Sequence, residues 1–244
     1  MDSGYYAASA GLAAQEQALE LVAHNLANLS TAGYRGQQMT FRSLVAGDAE
    51  VMVNPLNAAM NDFGVLSGSR LDLTPGSLAP TGNPLDVAIS GPGFFSLQAA
   101  QGTLYTRAGS FHLTATGQLA TADGNLVLGQ QGPITLPGGN VVISSDGTIS
   151  ADGNVVDKLG LVEFPPGTSL SAVGDATYAG LEGTATPAVE SSVQQGMVEG
   201  SNVGAIEGVV QLIAVQRNTE MLARALSAFD SQLNQTAVMD LPKV

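Results

Sequence analysis

Apolar residues recur at alternating steps of three and four near each end of the chain. Near the N-terminus they occupy Tyr5, Ala8, Leu12, Leu19, Val22, Leu26 and Leu29, with one polar member, Gln15. Near the C-terminus they occupy Leu212, Val215, Leu222, Leu226, Phe229 and Leu233, with Thr219 as the interruption. This is the a/d spacing of heptad helices. It predicts one helix over residues 4–29, with Gly33 in the turn that follows, and a second over about residues 205–236.

In water, an apolar heptad seam must be buried against another surface. Each of the two predicted helices is the only other long helix against which its counterpart could pack. The sequence therefore predicts that the chain folds back and that the terminal helices pair as a coiled stem. The alternative is two ordinary core helices of one globular domain. The outer faces are rich in Ala, Gln and Asn, whereas a solvated helix usually carries charge pairs, so we favour the stem.

The residues between the helices follow a different pattern. Short alternating segments over 81–190 are separated by Gly-containing turns, including the Asp-Gly pairs at Asp123, Asp146 and Asp152. This pattern is typical of antiparallel hairpins. After Pro166 the strands are expected to give way to an irregular stretch rich in Gly and Ser.

The predicted fold class is mixed α and β with the two kinds of structure segregated. The predicted domains are a stem helix over 1–35, an extended connector over 36–80, a central all-β domain over 81–190 and a second stem helix over 191–244.

Composition narrows the possible partners. Charged residues make up 12% of the 244 residues, only 8 are Lys or Arg, and the net charge is −13. So few cations argue against nucleic-acid binding and against anionic membranes. No apolar run approaches the roughly 20 residues that cross a bilayer, so no direct membrane insertion is predicted. The N-terminus lacks the basic start and apolar core of a cleaved signal peptide.

No catalytic, cofactor or metal site is predicted. Cysteine is absent, and His24 and His112 have no partner at metal-ligand spacing. Asp86 precedes a Gly-Pro-Gly turn, where a carboxylate most simply accepts hydrogen bonds. A different class of protein, a secreted β-domain hydrolase or carbohydrate-binding module, would require a carboxylate pair facing a cleft in residues 81–165. Its candidate acids are Asp86, Asp123, Asp146 and Asp152.

Several segments resemble the signatures of bacterial flagellar rod and hook proteins. Residues 25–35, Asn-Leu-Ala-Asn-Leu-Ser-Thr-Ala-Gly-Tyr-Arg, resemble the N-terminal signature of that family. Residues 83–95 and 105–111 resemble its central signature. Ser201-Asn202-Val203, Gln216-Arg217 and Glu220 resemble its C-terminal one. The chain departs from the family pattern at His24, Gly204 and Thr219.

The resemblance implies a non-enzymatic axial subunit of the flagellar basal body. Such subunits pass unfolded through the flagellar type III export apparatus without signal cleavage, and they stack helically with copies of themselves and with other rod subunits. Their terminal helices form an inner tube in the periplasmic rod, and a β domain lies outside it. The length and the opening residues 1–6 are most similar to proximal rod subunits, and distal rod subunits are the close alternative.

The resemblance and the heptad pattern together predict an assembly interface. Its apolar members provide helix packing: Leu12, Leu19, Val22, Leu26, Leu212, Leu222, Leu226 and Phe229. Its polar members would set the register, because a buried polar group disfavours the wrong alignment: Asn25, Asn28, Gln216, Arg217 and Glu220.

Overall fold

The computed structural model describes residues 2–42, 65–165, 167–181 and 183–239. Two long helices flank a region of antiparallel strands, as the hydrophobic pattern predicts. Helix α1 spans Asp2–Ala27 and helix α2 spans Ala205–Met239. Both are free of proline and rich in good helix formers, which favours unbroken helices. No described helix has the combination of length and hydropathy that crossing a bilayer requires.

Helix α1 ends two residues earlier than predicted. Residues 28–33 form turns, in which Thr31 N and Thr31 Oγ1 donate to the backbone and side-chain oxygens of Asn28 at 3.2 and 2.9 Å. These local bonds compete with continuation of the helix. Gly33 has the predicted left-handed backbone, with φ 69°.

The first strands after α1 lie partly in the predicted connector over 36–80. Residues 43–64 of that connector lie outside the described residues. The strands up to the first Asp-Gly turn are β1 (Gln37–Arg42), β2 (Val65–Leu71), β3 (Leu78–Pro80), β4 (Val87–Ser90), β5 (Phe94–Ala99), β6 (Gly102–Thr106), β7 (His112–Leu113) and β8 (Leu119–Ala120).

Further strands continue to the start of α2. They are β9 (Leu126–Val127), β10 (Val141–Ile143), β11 (Thr148–Ala151), β12 (Asn154–Lys158), β13 (Leu161–Glu163), β14 (Ser171–Ala172), β15 (Thr177–Ala179), β16 (Thr186–Pro187), β17 (Ser192–Gln195) and β18 (Met197–Glu199).

The largest sheet has the order β14-β15-β6-β5-β9-β8-β7, and β13 joins β5 to β16. Strands β10, β11 and β12 form a meander through the predicted turns at Asp146 and Asp152. The apolar faces of these strands form a main core, which includes Val87, Phe95, Leu97, Leu119, Val127, Ile134 and Ile149. A second, smaller cluster consists of Leu71, Phe94, Leu170 and Tyr178.

The prediction that strands give way to irregular structure after Pro166 was wrong, because five strands follow in the described residues. Strands β14, β15 and β16 are only two or three residues long, too short for an alternation to be visible in the sequence. Strands β17 and β18 pair with β4 and β3, more than a hundred residues earlier. Such pairing depends on the folded chain and leaves no local pattern.

The chain divides into two compact units. One contains α1 as far as Leu26, α2, and the described part of residues 38–69. The other contains residues 27–37 and 70–204. The segment that follows α1 therefore folds with the β region.

Candidate functional site

The turn after α1 packs closely against the β unit through Gly33. Its N–H donates to the carbonyl of Glu199 at 2.8 Å. A Cβ atom placed on Gly33 would lie 2.1 Å from the backbone nitrogen of Ala108. Position 33 therefore requires glycine for two reasons: its left-handed φ, and the close approach of its backbone to that of Ala108. This turn directs the next two residues, Tyr34 and Arg35, into the interior.

Two arginines meet one glutamate in that interior. Arg35 Nη2 donates to Glu199 Oε1 at 2.6 Å, and Arg107 Nη1 donates to Glu199 Oε2 at 3.2 Å. All three side chains are at most 1% exposed. The N–H of Gly76 donates to Glu199 Oε1 at 2.8 Å. One carboxylate thus joins three segments that are far apart in sequence. We call Arg35, Arg107 and Glu199 the ion cluster.

Arg107 is held from several directions. Its Nη2 donates to the Gly91 carbonyl at 2.5 Å, and its guanidinium carbon lies 5.0 Å from the centre of the Phe94 ring. Burial lowers the pKa of Arg107 to about 10, although the Glu199 carboxylate acts in the opposite direction. Arg35 Nε and Nη1 and Arg107 Nε have no hydrogen-bond partner among the described residues. The ion cluster is therefore costly to desolvate and would be expensive to disrupt.

Tyr178 connects the ion cluster to the turn after α1 through two hydrogen bonds. Its hydroxyl accepts from Arg35 N at 2.8 Å and donates to the Gly33 carbonyl at 3.3 Å. Burial raises the pKa of Tyr178, and burial with the nearby Asp175 raises the pKa of Tyr34 to about 12. Both hydroxyls therefore stay protonated at neutral pH, and Tyr178 can act as donor and acceptor at once.

Asn202 fixes the chain just before α2. Its Oδ1 accepts from Gly36 N at 2.7 Å, and its Nδ2 donates to the Asp72 and Thr74 carbonyls at 2.8 and 3.0 Å. The residue after Arg35 and the residues after β2 are thereby held together with the segment leading to α2. The Asn202 amide therefore holds three backbone segments in fixed positions.

Three of the four acids considered as catalytic candidates, Asp86, Asp146 and Asp152, have structural partners. Asp86 is 9% exposed and accepts from Asn83 Nδ2 at 3.0 Å. Asp146 accepts from Thr148 N and Oγ1, which lowers its pKa, and Asp152 accepts from Asn140 N at 2.9 Å. Asp123 lines a cavity of about 400 Å³, together with Asp175 and mostly small residues. No cluster of three or more His, Asp or Glu side chains suited to a metal ion occurs among the described residues.

Three family models match the chain. Residues 6–35 match the model described as flagella basal body rod protein. Residues 88–157 match the flagellar hook protein FlgE/F/G D1 domain. Residues 194–238 match the flagellar basal body rod FlgEFG protein C-terminal model.

Relatives match over nearly the whole length. The rod protein FlgF of Caulobacter vibrioides is 31% identical over 253 residues, covering 100% of both chains. The rod protein FlgG of Agrobacterium fabrum is 33% identical over 91% of this chain and 94% of its own. FlgF of Mesorhizobium japonicum is 33% identical over 96% of this chain and 97% of its own. The chain belongs to the family of flagellar basal-body rod proteins.

Each matched segment of this rod-family chain supplies one member of the ion cluster. Arg35 lies in the first segment, Arg107 in the second and Glu199 in the third. The ion cluster is thus the point at which the three parts of the family pattern meet. The comparisons give no support to the hydrolase or carbohydrate-binding alternative, because the matched families are structural.

The predicted assembly residues lie mainly on the two helices. Val22 is buried, and the half-buried ones on the helices are Leu12, Leu19, Asn25, Leu26, Leu212, Leu222 and Leu226. Asn28 is buried in the turn after α1. Gln216, Arg217 and Glu220 are exposed, and Glu220 pairs with Arg224 at 3.4 Å. Phe229 lies in α2, and its side chain is outside the described residues. A Cβ on Gly208 would lie 3.4 Å from Leu26 Cδ1, which brings Leu26 against the start of α2.

Sequence reasoning missed most of the ion cluster. Arg35 and Arg107 were noted only as parts of signatures, and Glu199 and Tyr178 were not noted at all. The one available signal was a lone Glu between Val198 and Gly200, directly before a signature segment. Burial of that charge could not be read from the sequence, since exposed and buried glutamates look alike there.

Proposed function

We propose that this chain is a structural subunit of the bacterial flagellar basal-body rod and that it assembles helically and transmits torque. The observation that carries the proposal is the outward face of α2. Four apolar side chains on this face are largely exposed: Ile206 at 78%, Val210 at 61%, Ile213 at 45% and Met221 at 61%. A helix with this much uncovered apolar surface favours association with another protein surface.

The opposite side of α2 supports the same proposal. Between residues 209 and 228, the half-buried positions are the seam residues Leu212, Val215, Thr219, Leu222 and Leu226, together with Ala225, and the rest are exposed. We infer that the seam pairs with α1 in a coiled stem and that the outward face contacts neighbouring copies. A contact between unlike surfaces of identical subunits continues from copy to copy and so builds a filament.

The relatives' names guide the finer proposal. Their names include both FlgF and FlgG, each called a flagellar basal-body rod protein. We propose the proximal, FlgF-like position, with the distal, FlgG-like position as the alternative. The proposed partners are other copies, the other rod subunits and the flagellar type III export apparatus. The proposed location is the periplasmic rod, reached without a cleaved signal peptide.

A motility experiment tests the assembly surface. Replacing both Val210→Asp and Ile213→Asp would place charges on the outward face of α2, so we expect loss of swimming in a strain that carries only this variant. Val155→Asp is the matched control, since Val155 is 72% exposed on β12 of the β unit. Normal swimming of the α2 variant would contradict the proposal. Electron microscopy of basal bodies carrying a tagged subunit would distinguish the proximal from the distal position.

A further inference from the structure

We propose that Gln15 and Thr219 face each other in one polar layer of the α1–α2 stem and that this layer sets the register of the two helices. The proposal rests on the stem inferred under Proposed function. It assigns a role to the two polar residues that interrupt otherwise apolar seams.

The starting point is the contact between Leu26 and Gly208. Leu26 is the last but one residue of α1, and Gly208 lies in the first turn of α2. A Cβ on Gly208 would be only 3.4 Å from Leu26 Cδ1, and Gly208 is buried. Since the end of α1 meets the beginning of α2, helices that pack along their lengths from this contact must run antiparallel.

The register then follows from helix geometry. Both helices rise about 1.5 Å per residue, so each step back along α1 matches an equal step forward along α2. Counting from Leu26 and Gly208, each layer joins an a position of one helix to a d position of the other. The layers are Val22 with Leu212, Leu19 with Val215, Gln15 with Thr219, and Leu12 with Leu222. The only polar residue of the α1 seam therefore meets the only polar residue of the described α2 seam.

The chemistry of this layer is complementary. Thr219 Oγ1 donates to the Val215 carbonyl at 2.9 Å. This bond uses the one donor of the hydroxyl and leaves its oxygen as an acceptor. The Gln15 amide can donate to that oxygen. Both side chains are half-buried, as seam positions should be.

Other registers would separate the two polar residues. A shift of one heptad in one direction places Gln15 against Leu212 and Thr219 against Ala8. A shift in the other direction places Gln15 against Leu226 and Thr219 against Val22. In both cases the Gln15 amide would face an apolar side chain without a partner, and Thr219 Oγ1 would keep only its bond to the Val215 carbonyl. The unpaired amide disfavours the shifted states.

Disulfide trapping tests the register, because the chain has no cysteine of its own. In purified monomeric chain, the pair Leu19→Cys with Val215→Cys occupies one proposed layer. The pairs Leu19→Cys with Leu222→Cys, and Leu12→Cys with Val215→Cys, report the two shifted registers, since a disulfide requires Cα atoms within about 7 Å. We expect mild oxidation to form the intramolecular bond in the first pair on the order of tenfold faster than in the shifted pairs.

The role of the polar layer is tested in the same backgrounds. Adding Gln15→Leu and Thr219→Leu should allow the shifted pairs to cross-link at rates approaching that of the first pair. The control, Glu16→Leu with Asn218→Leu, also replaces two polar residues by leucine, but at exposed positions outside the seams, and should leave the rates unchanged. Faster cross-linking of a shifted pair in the otherwise unchanged chain would overturn the register but leave the stem intact. Unchanged rates after Gln15→Leu and Thr219→Leu would overturn the role of the layer. Absence of cross-linking in every pair would count against the stem itself.

Discussion

Arg35 and Glu199 are 164 residues apart in sequence, and their side chains meet at 2.6 Å in the interior of the β unit. Arg35 follows the turn after α1, and Glu199 is the last residue of the last strand before α2. The contact therefore ties together the two places where the chain leaves the β unit toward its terminal helices.

Glu199→Gln should destabilise the β unit by about 3–5 kcal/mol, because it leaves two buried arginines without their carboxylate. Urea unfolding of the purified chain, followed by circular dichroism and tyrosine fluorescence, measures the change. Glu190→Gln is the control, since Glu190 is exposed. Equal unfolding midpoints for the two variants would show that the ion cluster is not needed for stability.

Gly33→Ala should be much more damaging than Gly124→Ala. Both glycines have a left-handed backbone, with φ 69° and 81°, so both variants bear the strain of about 1–2 kcal/mol for an L side chain in that conformation. Only at Gly33 does the added Cβ also meet a backbone atom, at 2.1 Å, whereas at Gly124 it would meet nothing within 4 Å. Calorimetric unfolding should show a clearly larger drop in Tm for Gly33→Ala. Equal drops would mean that the turn does not pack on Ala108 as described.

Alkaline pH should unfold the β unit through its buried tyrosines. The pKa values of Tyr34 and Tyr178 are raised in the folded state, that of Tyr34 to about 12. Their contribution to stability is fully present below the unfolded value of about 10 and is lost as pH rises from there toward the folded values. Ultraviolet titration of tyrosinate should show a late step that becomes smaller in Tyr178→Phe. A single step at ordinary tyrosine pH would contradict this burial.

Leu26→Asp should abolish motility while the β unit remains folded. Leu26 is half-buried and lies next to Gly208 at the start of α2. A carboxylate there would be partly desolvated, and Gly208 has no side chain that could donate a hydrogen bond to it. Swimming assays and circular dichroism of the secreted or purified subunit measure the two effects. Leu181→Asp serves as the control, because Leu181 is 70% exposed in the β unit. If the Leu26 variant swims normally, the stem is not required for rod assembly.

Much of the architecture follows from local patterns. The spacing of Leu12, Leu19 and Val22, and that of Leu212, Leu222 and Leu226, determined where the two helices lie, because amphipathic periodicity is a property of consecutive residues. The Asp-Gly pairs at Asp146 and Asp152 determined hairpins in the same way, through backbone conformations that few residues adopt. Signature residues were enough to identify the family.

The tertiary structure alone decided what those signatures do. The sequence contains Arg35, Arg107 and Glu199 in three separate segments, and nothing local indicates that one carboxylate serves both arginines. Strands β17 and β18 likewise could not be predicted from the sequence, because their partners β4 and β3 lie more than a hundred residues away. Periodicity indicates which side of a helix or strand is buried, because it is a property of neighbouring residues. Long-range strand pairing and the burial of charges depend on which distant segments the folded chain brings into contact.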